Sequence, residues 1–152
     1  MRIATLALVV AACLTSPALA EIKLTDAYAR AASPMAKTGA AYLRIENTSD
    51  TPDRLLSVTS PAAKRIELHT HLDAGDGVMQ MRQIDGGIPL PAQSSHSLRR
   101  GAGHVMMMGL TRRFLHGEKI TLTFTFEQAG DITQTIPIDL ERQETHDTHD
   151  MN

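Results

Sequence analysis

The chain has 152 residues, with 15 basic against 17 acidic side chains, a formal charge of −2 at neutral pH, seven histidines, eight methionines, one cysteine and no tryptophan. So mild a charge excludes nucleic acid and anionic membrane surfaces as electrostatic partners. A single cysteine excludes an internal disulfide framework, so the fold must be held by its core.

Met1-Arg2-Ile3 is a short positive start, Ala4 to Leu14 is an apolar run, and Ala18-Leu19-Ala20 before Glu21 has the small-x-small form of a signal-peptidase site. Residues 1–20 are therefore expected to be a cleaved signal peptide, with a mature chain beginning at Glu21 in the periplasm. The apolar run is shorter than the roughly 20 residues that span a bilayer. Val10-Ala-Ala-Cys13 also has the form of a lipoprotein processing site that would acylate Cys13, although the Ala-x-Ala site is the cleaner of the two. Cleavage after Ala20 removes the only cysteine. Methionine, which forms no disulfide and whose sulfoxide is reversible, is then the durable sulfur donor in an oxidising compartment. The remaining chain suits one domain, which buries about two thirds of its unfolded surface.

The pattern after the leader is all-β. Strand-like runs are Ile22–Ala29, Gly39–Glu46, Arg54–Thr59, Lys64–Leu72, Val78–Ile84, Ser95–Arg99, His104–Gly109, Lys119–Glu127 and Ile132–Leu140. Between them lie turn residues such as Asn47-Thr-Ser-Asp50, Gly75-Asp-Gly77, Asp85-Gly-Gly87 and Ala129-Gly-Asp131. Lys119–Glu127 alternates strictly, which places Ile120, Leu122, Phe124 and Phe126 on a core face and three threonines opposite. Pro137 predicts that the last strand lies at a sheet edge. Many short strands with regular turns indicate a Greek-key β-sandwich over residues 21–140. From Glu141 to Asn152 apolar periodicity is lost, and a flexible tail is expected.

Strand periodicity also sorts the histidines and methionines. In Lys64–Leu72, Ile66, Leu68 and Leu72 share one face, so His69 and His71 take the other, and Met79 and Met81 share a face of the next run. A hairpin with Asp73–Gly77 as its loop would set His69 opposite Met81 and His71 opposite Met79. In His104–Gly109, His104, Met106 and Met108 alternate with Val105 and Met107. Met107 is read as core, while His104 and Met106 point together toward the hairpin. Imidazole and thioether are soft, neutral donors, and the biological ion they select is copper, above all Cu(I). Each single methionine is ordinary core filling. The convergence of His and Met in phase on two segments is what points to a site, whereas His96, His116 and Met35 read as ordinary surface residues.

The motifs Glu67-Leu-His69-Thr-His, Gly77-Val-Met79-Gln-Met81-Arg82, Ile88-Pro-Leu-Pro91, Gly103-His104-Val-Met106-Met-Met-Gly-Leu110 and Lys119-Ile-Thr-Leu-Thr-Phe together resemble the periplasmic PCuAC copper-chaperone family. Ala36 to Asn47 matches a further block, so the resemblance spans about residues 25–138. It implies a cupredoxin-like β-sandwich holding Cu(I) in a shallow, solvent-accessible site, with His69, Met81, His104 and Met106 as ligands. Eleven residues separate His69 from Met81 and 22 separate Met81 from His104, each one more than in the family pattern, and turns near Asp73–Gly77 and Asp85–Gly87 can absorb both. His71 competes with His69 for the first position, and the Glu-Leu-His context favours His69. The resemblance further implies delivery toward the binuclear copper centre of cytochrome c oxidase, with its copper-bearing subunit or a Sco-type protein as acceptor.

A blue-copper electron carrier needs a cysteine thiolate, which the mature chain lacks. Hydrolase chemistry is disfavoured by the absence of a Gly-x-Ser-x-Gly elbow and of a mature thiol, so no enzymatic activity is expected. The alternatives to a chaperone are a periplasmic copper buffer or resistance protein and a metal-free β-sandwich interaction module. In the tail, His146, His149 and Met151 with Asp147 and Asp150 offer nitrogen and oxygen donors suited to Cu(II).

Overall fold

Alternating apolar and polar residues give strands with one buried face, and two sheets closing over those faces are the economical solution. The computed structural model describes residues 21–75 and 77–142. Among them are ten strands and no helix: β1 (Ile22–Ala31), β2 (Thr38–Asn47), β3 (Asp53–Thr59), β4 (Ala63–Asp73), β5 (Met79–Gln83), β6 (Ile88–Leu90), β7 (Ser94–Leu98), β8 (His104–Leu110), β9 (Lys119–Phe126) and β10 (Gly130–Pro137). The expected leader, Cys13 and the tail residues His146, His149 and Met151 lie outside the described residues. No helix among the described residues is long and apolar enough to cross a membrane.

One sheet runs β1-β2-β8-β4-β5, with β7 also paired to β2, and the other runs β10-β9-β3-β6. All the strand pairs are antiparallel, and the chain passes repeatedly from one sheet to the other, giving the β-sandwich expected from the sequence. Leu43, Ile45, Leu68, Val105 and Met107 from the first sheet close on Leu55, Leu122, Phe124 and Ile136 from the second. On the outer face of β9, Thr121 and Thr123 meet Thr135 and Thr133 of β10 at 3.1 and 3.0 Å. Pro137 ends β10 at the sheet edge, as the missing N–H requires.

Two features differ from the sequence reading. Ile88–Leu90 forms a strand that was not foreseen. Three residues interrupted by Pro89 carry little periodic signal, and the segment survives only as an edge paired with Asp53–Leu55. The β4–β5 register is also shifted by two residues. His71, not His69, stands opposite Met81, while His69 faces Gln83 and Asp73 faces Met79. The loop closes one residue later than expected, with the Ala74 N–H donating to the Val78 carbonyl at 2.8 Å and the Val78 N–H to that of Gly75 at 3.0 Å. A shift of two preserves the pleat phase, so every side chain stays on its expected face.

One interruption shapes the site. β7 pairs with Leu43–Asn47 of β2 and β8 with Thr38–Ala41, so both follow one edge of β2 in the same direction. Residues 99–103 between them loop out of that line, with Gly101 at φ 73° and the Ala102 N–H donating to the Arg99 carbonyl at 3.1 Å. The left-handed conformation at position 101 is one that glycine adopts without steric cost.

Candidate metal centre

The outer face of the larger sheet carries the candidate ligands because their strands present them in phase. In β4 Leu68 is buried in the core, which turns Glu67, His69 and His71 outward; in β8 Val105 and Met107 are buried, which turns His104, Met106 and Met108 outward. The β4–β8 ladder sets His69 across from His104 and Glu67 across from Met106. The β4–β5 ladder sets His71 across from Met81.

Four of these side chains converge. His71, Met81, His104 and Met106 line one open cleft of about 430 Å3, whose walls also include Tyr42, Arg30 and the Arg100-Gly101 backbone turn. His104 lies at the floor, only 4% exposed, while Met81 on the edge strand is 48% exposed and reachable from solvent. The His71 and His104 rings lie 5.3 Å apart, and the His104 ring is 6.3 Å from Tyr42.

A single carbonyl orients both cleft imidazoles. His71 Nδ1 lies 3.0 Å and His104 Nδ1 3.3 Å from the Ala102 oxygen. A carbonyl can only accept, so in both neutral rings Nδ1 carries the proton and Nε2 keeps its lone pair. Burial holds the His104 imidazole below the usual histidine range; the bond to Ala102 opposes this, and His71 and His69 add to it. A ring kept neutral in this way is a ready metal donor.

His69, the imidazole favoured on sequence context, lies beside the cleft rather than in its lining. Its ring is edge-on to His104 with centroids 5.8 Å apart. Its Nε2 donates to Glu67 Oε2 at 2.8 Å, and that bond holds the Glu67 carboxyl below the usual carboxylate range against desolvation, with Arg65 assisting. Met79 is 55% exposed beyond Met81 on the same face of β5, Met108 lies opposite Arg65 and Thr38 and away from the cleft lining, and Met107 is fully buried. Two contributors escaped the sequence reading. Glu67 shares the phase of His69 and His71, so alternation could have found it, whereas the Ala102 carbonyl carries no side-chain signal at all.

The donor set discriminates among ions. Two imidazoles and two thioethers are uncharged and soft, which suits Cu(I) and disfavours hard cations that require oxygen. Among the described residues no group of three His, Cys, Asp or Glu side chains is disposed to hold a metal.

Comparison with known proteins gives the family and the fold. The profile of the family described as "Putative lipoprotein LpqE-like" matches residues 22–138, more than three quarters of the chain. "Putative lipoprotein Lxx21020" of Leifsonia xyli subsp. xyli is 29% identical over 99 residues, 65% of this chain, and the match spans 59% of that relative's length. Among solved structures, the copper-bound PCuAC domain from PmoF2 superposes with a TM-score of 0.67 at 25% identity, covering 81% of this chain and 96% of that domain. The Cu(I) form of DR1885 from Deinococcus radiodurans gives 0.63 at 27% identity, covering 83% and 84% respectively.

Proposed function

This chain belongs to the LpqE-like family, and from that premise we propose that it is an exported copper chaperone that holds Cu(I) in the cleft between β4, β5 and β8. The observation that carries the reading is the convergence of His71, Met81, His104 and Met106 on one open cleft. Met81, His104 and Met106 act as ligands, and β4 supplies the remaining imidazole, with His71 in the cleft and His69 beside it. The copper-bound PCuAC domain of PmoF2 and Cu(I)-bound DR1885 support copper as the cargo. Both leader readings, cleavage after Ala20 or acylation at Cys13, place the domain outside the cytoplasm, and the lipoprotein description of the family supports export.

Cu(I) is cargo here, and the site's form suits release. Four neutral ligands leave the ion its own positive charge. Met81 is half-exposed on a five-residue edge strand, so an incoming ligand can displace it first while His104 and Met106 still hold the ion. Transfer then proceeds one ligand at a time without free copper. Carriage of this kind uses no bond-making chemistry, so the protein is read as a carrier rather than an enzyme.

Anaerobic titration of the mature protein with Cu(I) against a competing chelator should show one tight equivalent that is lost in Met81→Leu/Met106→Leu. Absence of tight binding in the unaltered protein would reject the reading. Delivery toward the binuclear copper centre of cytochrome c oxidase is the proposed destination. Passage of Cu(I) to a purified copper-bearing oxidase subunit or Sco-type protein tests it, and retention by the donor would indicate a copper buffer instead.

A further inference from the structure

A guanidinium stands in the wall of a cleft proposed to hold a cation. The lining includes Arg30 and Arg100 and, among the described residues, no Asp or Glu side chain. Strand pairing fixes where Arg30 sits. It lies opposite Ala40 on β2, Ala40 lies opposite Met106 on β8, and Met106 lies opposite Glu67 on β4. Arg30 and Met106 are therefore two strand spacings apart, about 10 Å, in one row of the sheet. Only the Ala40 methyl group stands between them, which leaves an open trough beside the Met106 side chain. Glu67, at the far end of the row, is engaged by Arg65 and His69.

Arg30 is held in place from outside the cleft. Its Nη1 donates to the Arg142 carbonyl at 2.8 Å. Arg142 is itself fixed, with its N–H donating to Asp139 Oδ1 at 2.9 Å and its guanidinium set on Asp26 and over the Tyr28 ring. A carbonyl acceptor occupies one of the five guanidinium N–H donors and takes none of the charge. The arm is half-buried and braced, and its remaining donors form the planar fork that matches a carboxylate.

A fixed positive charge beside Cu(I) works against retention of the ion. An anion arriving on Arg30 removes that repulsion at the moment of contact. Met81, the ligand exposed for displacement, lies at the opposite end of the strand order, so a partner seated on Arg30 leaves it accessible. Building on the Cu(I) reading above, we propose that Arg30 is a docking residue for the copper acceptor, a protein that presents a carboxylate beside its own copper-receiving donors. Complementary charge of this kind speeds encounter and fixes orientation more than it tightens binding, which suits a carrier that must let go.

Two synthetic peptides with the same His and Met donors, one flanked by Asp and the other by Asn, serve as probe acceptors. A tryptophan in each, a residue this chain lacks, reports arrival of Cu(I) by fluorescence quenching. Anaerobic stopped-flow transfer from the loaded mature protein at low ionic strength should be about 10-fold faster to the Asp peptide, and the difference should shrink in about 1 M salt. Arg30→Gln keeps an N–H for the Arg142 carbonyl and should erase the preference by slowing the Asp peptide alone. Arg30→Lys keeps the charge and should restore most of it. Equal rates to the two peptides in the unaltered protein, or an undiminished preference in Arg30→Gln, would overturn the proposal. A copper-free arm separates it from the metal site. In the arginine-labelled apo protein the Asp peptide should shift the Arg30 Nε–H resonance and the Asn peptide should not. That shift in a protein that takes up no Cu(I) would refute the cleft reading and leave Arg30 as a carboxylate site. A shift on removing residues 143–152, with no response to either peptide, would assign Arg30 to Glu144, Asp147 or Asp150 of this chain and overturn the proposal.

Discussion

Met106 and Met107 are adjacent in sequence and opposite in role, and exchanging their side chains separates copper binding from folding. Met107 is 0% exposed in the core. Met107→Ala deletes a fully buried side chain and should cost about 2–5 kcal/mol, or roughly 8–20 °C in Tm at about 4 °C per kcal/mol for a domain of this size. Where the protein remains folded, Cu(I) affinity should be retained. Met106 lines the cleft, and Met106→Leu keeps its volume while deleting the sulfur, so apo stability should change by less than about 1.5 kcal/mol. Cu(I) buffered at 100 times the dissociation constant should raise the unaltered protein's stability by about 2.7 kcal/mol, near 10 °C on the same scale. Met106→Leu should lose most of that gain. Thermal melts with and without buffered Cu(I), read by circular dichroism, contain both comparisons. A large apo destabilisation by Met106→Leu with its copper-dependent gain intact would refute the assignment of faces on β8.

The other predictions concern pH and the ends of the chain. Burial holds His104 and His96 below the usual histidine range, so each binds its proton less readily in the fold than in the unfolded chain. The stability they contribute is present above about pH 6.5 and lost as pH falls from there through their folded values. Denaturant unfolding of the apo protein should show stability declining on that side of 6.5, and a decline appearing only above it would contradict the sign. Cu(I) affinity should fall in the same direction because protons compete for imidazole nitrogen, and flat affinity down to about pH 5 would argue against histidine ligation. Removing residues 143–152 should lower the number of Cu(II) ions bound and leave the Cu(I) site intact; an unchanged Cu(II) count would dismiss the tail as a copper collector. That cut is preferable to one after Leu140, because the Arg142 guanidinium lies 4.2 Å from the Tyr28 ring centroid and 2.6 Å from Asp26, a contact whose stacking alone is worth about 0.5–1 kcal/mol. Mass spectrometry of the exported protein should find Glu21 at the N-terminus, and a diacylated Cys13 there would reverse the reading of the leader.

Period-two alternation was legible in the sequence, and it carried most of the fold. Burial of Ile120, Leu122, Phe124 and Phe126, the opposite faces of Met106 and Met107, and the shared face of His69 and His71 all follow from local phase, which the pleat enforces without reference to any partner strand. Pro137 at an edge follows equally locally, from a missing donor. The expectation of histidine and methionine as the soft donors was also local, since no cysteine follows residue 13. Register was another matter, because it depends on where the β4–β5 loop closes. Closure at residues 74–78 put His71 rather than His69 opposite Met81 while leaving their shared face untouched. The Ala102 carbonyl that orients His71 and His104 comes from a loop made necessary by two strands following one edge of β2. A backbone oxygen has no residue type to read, and a ladder between segments thirty residues apart is chosen by the packing of the whole sandwich. The sequence by itself therefore determined the faces and the kinds of side chain they carry, and only the tertiary structure decided which imidazoles line the cleft and which of their nitrogens faces the Ala102 carbonyl.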